Sequence, residues 1–126
     1  MPAPPPPAGN LCDRQLPHDV REQLFGGQGA VRVWALVATP ALPFTAVLAC
    51  ELEPHASVGA HVQEQYPEIV VGVSGSGSVA VNGVARAFAA GSVVELGLGQ
   101  TLAISNATGA EPLRYLIIKA ARATPR

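Results

Sequence analysis

From Gly29 onward the chain consists of short apolar runs cut by turn residues, with no helical pattern between one run and the next. Such punctuation fixes the fold class, because a run of four to seven residues rich in Val, Ile, Thr and aromatics has the length and composition of a strand. The runs are 31–37, 44–50, 58–63, 69–73, 78–81, 84–89, 93–96, 101–105 and 113–119. Asn82-Gly83 separates two of them, and both residues tolerate the positive φ that a two-residue type I′ hairpin requires. Gly72, Gly75, Gly77, Gly91, Gly97 and Gly99 break the remainder at the spacing of an antiparallel barrel or sandwich. Without helices between strands, a parallel α/β sheet is disfavoured. The expected fold is all-β, an antiparallel β-barrel or jelly roll.

What precedes this region is different in kind. Five prolines fall in the first seven positions, so residues 1–10 read as an extended or disordered tail. Residues 11–29 form an N-terminal segment in which His18-Asp19-Val20-Arg21-Glu22-Gln23-Leu24 predicts a short helical turn closed by Gly26-Gly27. The barrel is assigned to 30–120 and a C-terminal tail to 121–126. Within 126 residues, 48% hydrophobic content supplies the core of one domain.

Charge excludes some partners. A net charge of −1 with eight scattered Lys and Arg offers no field for a nucleic acid. The longest apolar run, 30–50, is interrupted by Arg32, Pro40 and Pro43, short of the about 20 apolar residues that a membrane-spanning helix needs. No basic segment followed by an apolar one opens the chain, so no secretory signal is expected. Cys12 and Cys50 do not make a disulfide framework and read as free thiols, which places the protein in the cytoplasm.

Candidate chemistry lies between Glu53 and Asn106. If 58–63 is a strand, His61 and Gln63 point to one face, and Glu68 joins them after the turn at Tyr66-Pro67. The segment from Glu53 through His55, His61, Gln63 and Glu68 to Gly75 resembles the first motif of the cupin superfamily: Gly, five residues, His-x-His, a short gap, Glu, six residues, Gly. His55 stands at the opening Gly and Gln63 at the second His, while Glu68 and Gly75 fall at the expected spacings. Ala90-Gly91-Ser92-Val93-Val94 and 97–106 resemble the second motif, whose His lies four residues before Asn106; that position is Leu102.

The resemblance, over about residues 30 to 120, is to a small single-domain cupin of the type-2 kind with a degenerate metal site. It implies a double-stranded β-helix that often dimerises, with a pocket where three His and one Glu hold a divalent ion. Of these ligands only His61 and Glu68 are unchanged. Gln63 offers a neutral amide oxygen, Leu102 offers nothing, and Gln100, two residues before it, would share its face in an extended segment. His61, Gln63 and Glu68 are therefore the ligands if zinc, manganese, iron or nickel binds, and any such ion is held weakly. Without metal, His61, Gln63, Glu68, Gln100 and Leu102 line a small-molecule site with an apolar floor and a few convergent polar groups. The favoured reading is a small-molecule-binding or accessory protein, a homodimer. The alternative is a metal-dependent dioxygenase, isomerase or epimerase with an altered ligand set, and a third is a structural role with an inert pocket. Trp34 is expected to pack in the core or at a dimer interface, His55 to sit in a turn, and His18 to be solvated.

Overall fold

The computed structural model describes residues 11–106 and 109–121. The proline tail 1–10 and residues 122–126 of the C-terminal tail lie outside them. Among the described residues ten strands follow one another: β1 (Asp19–Glu22), β2 (Ala30–Ala35), β3 (Phe44–Leu52), β4 (Ser57–Val62), β5 (Glu68–Ser74), β6 (Ser76–Val81), β7 (Val84–Ala89), β8 (Val93–Leu96), β9 (Thr101–Ser105) and β10 (Leu113–Ala120). They form two antiparallel sheets, one of six strands in the order β1-β2-β3-β10-β5-β8 and one of four in the order β4-β9-β6-β7. This is the expected all-β jelly roll, and the nine predicted runs are nine of its strands.

Alternation builds the core between the two sheets. Along β3 and β10, Cys50 and Leu52 pair with Tyr115 and Leu113, and all four are buried on the inner face. The smaller sheet answers with Val58, Val79, Phe88, Leu102 and Ile104. Phe88 meets Tyr115 edge to face, with centroids 6.3 Å apart. Asn82 and Gly83 adopt φ 51° and 79°, the left-handed pair that closes the β6–β7 hairpin. His55 has φ 65° in the turn between β3 and β4.

The N-terminal segment departs from expectation. Residues 19–22 are not helical but form β1, an added strand that pairs with β2 from Asp19 opposite Val33 to Glu22 opposite Ala30. Only Leu24–Gly26 makes a 3₁₀ turn. All four β1 side chains are exposed, so the strand is held by its backbone ladder and carries no apolar alternation by which its sequence could announce it. His18, expected in solvent, is partly buried: its ring stacks on Trp34 with centroids 4.6 Å apart, and its Nε2 lies 3.0 Å from Arg32 Nη1. Trp34 is indeed a packing residue, on the outer face of the larger sheet, where its indole N–H donates to the Asp13 carbonyl at 2.8 Å.

The same outer face carries a charged clamp. Glu51, 1% exposed, accepts from Arg14 Nη2 at 2.6 Å and from Arg114 Nε at 2.9 Å. Burial pushes its carboxyl pKa up, and the two guanidiniums more than offset this, leaving it below the ordinary value. Arg14 thereby ties the N-terminal segment to β3 and β10.

Candidate functional site

One end of the barrel is not filled. A cavity of about 410 Å³ opens between the sheets, walled by apolar side chains of both, among them Val31, Val33, Leu48, Val58, Leu102, Ile104 and Ile117. Its polar members are His61, Glu68, Tyr115 and Lys119, with Asp19 and Arg21 of β1 also on its lining.

Local structure explains the positions. His61 lies on β4 opposite Leu102 on β9, and a register shift between Val58 and His61 marks a bulge at Gly59-Ala60. His61 Nδ1 is 3.0 Å from the Gly59 carbonyl oxygen. A carbonyl only accepts, so in the neutral ring Nδ1 carries the proton and Nε2 keeps its lone pair. Phe25 stacks on the imidazole with centroids 4.1 Å apart and an interplanar angle of 13°. Phe25 reaches there with φ 53°, a conformation unusual for a bulky residue.

The 3₁₀ turn carrying Phe25 crosses β4 backbone to backbone. A methyl group on Gly59 would overlap the Phe25 carbonyl oxygen, and one on Gly27 would overlap that of Ser57. Both glycines are required by this approach.

Glu68 starts β5 and faces the cavity because its register partner is Lys119 on β10, which also faces inward. Only 3% of Glu68 is exposed. Gln63 Nε2 donates to its Oε1 at 3.0 Å, and Lys119 Nζ stands 3.8 Å from Oε2. Burial raises the Glu68 pKa above its ordinary value despite the opposing pull of Lys119 and His61. Beside it, burial pushes the Cys50 thiol up to about 12, so Cys50 is no nucleophile.

The expected site residues therefore divide. His61, Glu68 and Leu102 come together on the cavity. Gln63 is buried behind it as the brace of Glu68, its amide N–H side turned to the carboxylate. Gln100 is not on the cavity: it precedes β9, in a turn where its Oε1 accepts from the Gly97 N–H at 2.8 Å, so it has no extended backbone to aim it inward. The sequence reading missed Lys119, Tyr115 and Phe25. A Lys in the alternation Tyr115, Ile117, Lys119 is the one signal that would have placed it.

A transition metal does not fit these donors. Glu68 is already engaged by an amide N–H and an ammonium, Gln63 presents nitrogen rather than oxygen to it, and Leu102 supplies nothing opposite His61. Among the described residues no three His, Cys, Asp or Glu side chains form a group that could hold a metal ion.

The architecture is shared with known structures. A predicted oxalate decarboxylase from Thermotoga maritima is 27% identical over 83% of this chain and 92% of its own, with a TM-score of 0.78. A cupin 2 conserved barrel domain protein from Salinispora arenicola is 25% identical over 95% and 88%, with a TM-score of 0.66. The polyketide cyclase RemF from Streptomyces resistomycificus shares the fold at 18% identity, over 85% and 78%, with a TM-score of 0.66. No family model and no curated protein matches the chain.

Proposed function

We propose that this small cupin-fold protein is a small-molecule-binding or accessory protein that uses its barrel cavity without a metal. The observation that carries the reading is the cavity itself: about 410 Å³, mostly apolar, with His61, Glu68 and Lys119 as its convergent polar groups. That is the ordinary form of a small-ligand site. Leu102, buried where the resemblance implies a third imidazole, adds to the apolar wall. The metal-dependent enzyme reading finds less support, since the two surviving ligands sit in a set that does not fit an ion.

Two further parts of the proposal have their own support. Cys12 and Cys50 are free, in keeping with a cytoplasmic protein. Ile69, Val73 and Val93 are exposed on the outer face of the larger sheet, in keeping with a homodimer.

The test is titration with bibenzyl, an uncharged two-ring hydrocarbon, followed through methyl resonances of the cavity's Val, Leu and Ile residues. One equivalent is expected to bind, and Ile117→Trp, which fills the cavity, is expected to weaken it tenfold or more. Absence of saturable binding by bibenzyl and by its head-group-bearing analogues alike refutes the proposal. Elemental analysis of protein purified without chelator is expected to find well under one transition metal per chain. A full equivalent would restore the enzyme reading, with His61, Gln63 and Glu68 as the ligands to mutate.

A further inference from the structure

The charged groups on the cavity occur as opposed pairs. Glu68 faces Lys119 at 3.8 Å, and Asp19 faces Arg21 at 3.7 Å. A cation in the cavity would meet an ammonium, and an anion would meet a buried carboxylate, so each gains from one partner and loses to the other. At 3.8 Å the Lys119–Glu68 contact is an ion pair longer than a hydrogen bond, so ammonium donors remain for another acceptor. His61 Nε2, with Nδ1–H held by the Gly59 carbonyl, offers an acceptor on the same cavity.

We infer that Lys119 is a ligand-binding residue whose ammonium serves where a metal's charge does not fit, and that the cavity selects an uncharged ligand pairing a carbonyl acceptor with a hydroxyl donor on an apolar body. Lys119 donates to the carbonyl oxygen, and His61 Nε2 accepts from the hydroxyl. Glu68 holds the ammonium in place and is itself braced by Gln63. The inference rests on the cavity being a small-molecule site and adds the class of head group it takes.

Four probes share one two-ring body: benzoin, a neutral hydroxyketone; diphenylacetate, an anion; 1,2-diphenylethylamine, a cation; and bibenzyl, with no head group. Calorimetric titration is expected to rank benzoin first, about tenfold tighter than bibenzyl, as a hydrogen bond to a charged donor allows. In Lys119→Met that advantage is expected to vanish. Because Lys119→Met leaves Glu68 without its cation, the pair Lys119→Met/Glu68→Gln removes both charges together, and it is expected to lose the advantage as well. Equal or tighter binding of diphenylacetate or the amine overturns the inference, as does a benzoin advantage that survives both variants. In each of those cases bibenzyl binding leaves the cavity reading intact. Failure of all four probes overturns both.

Discussion

Glu51 and Glu68 are buried to the same degree in the larger sheet, on opposite faces, and their surroundings differ in a way that separates holding from binding. Glu51 is gripped by two guanidiniums, with hydrogen bonds from Arg14 and Arg114 to both of its oxygens. Its ionised form is favoured, and it joins the N-terminal segment to the barrel wall. Glu68 has one neutral amide at hydrogen-bond distance and one ammonium beyond it. Its ionised form is disfavoured by burial, and the ammonium beside it is only half engaged. One carboxylate is satisfied by the protein, whereas the other leaves hydrogen-bonding capacity around it for something else. A group under-satisfied inside a cavity is a better pointer to function than a fully satisfied one on the outside.

The largest expected effect breaks the first half of this contrast. Glu51→Gln should destabilise by about 2–3 kcal/mol in chemical denaturation, below the value for a fully enclosed pair because Arg14 and Arg114 can turn to water. A cost under about 0.5 kcal/mol would mean that the clamp is no more than a surface ion pair. Next comes Glu68→Gln, which removes a disfavoured charge and leaves an amide of similar size. We expect it to leave stability unchanged or raise it by about 1 kcal/mol at neutral pH. A loss comparable to that of Glu51→Gln would erase the distinction between the two sites.

The smallest effect is also the most discriminating, because its sign differs between the two. The Glu51 pKa lies below the ordinary 4.5, so the native state gives up this proton more readily than the unfolded chain. Its contribution is present above 4.5 and lost as pH falls further, and the deficit of Glu51→Gln should shrink with it. The Glu68 pKa lies above 4.5, so ionisation costs the native state stability that acidification restores. Any gain in Glu68→Gln should therefore be full above the raised native pKa and fade as pH falls through it to 4.5. Denaturation midpoints of both variants and the parent across this range would check the two directions together.

The strands were legible because burial on one face imposes alternation, and glycine or Asn82-Gly83 marks where each run stops. What was not legible lacked that signature. Strand β1 is exposed on every side chain and held by main-chain bonds, so nothing in Asp19-Val20-Arg21-Glu22 distinguishes it from a helical turn. Gln100 was misplaced because a face was inferred from a strand that begins one residue later. Gln63, expected on the site, stands behind the cavity, because the direction of its amide depends on a partner across a turn, Glu68. Lys119 was overlooked because a terminal Lys reads as solvated, and its inward aim follows only from register with Glu68. His61 and Glu68 could be placed from strand spacing, and Leu102 from its position in the motif that the sequence resembles, because all three lie on or at the start of strands.

Beside the cavity, the crossing of Gly27 and Gly59 resists change, whereas Phe25, which lines the cavity, tolerates it. Two main chains in direct apposition admit no side chain, so this joint resists mutation whatever the ligand. Phe25, carried on the joint and 56% exposed, is under no comparable packing constraint. Selection or a designed library could vary that one ring, and with it which molecules enter, while the scaffold beneath stays fixed. The entrance can therefore acquire new preferences faster than the barrel can acquire a new shape.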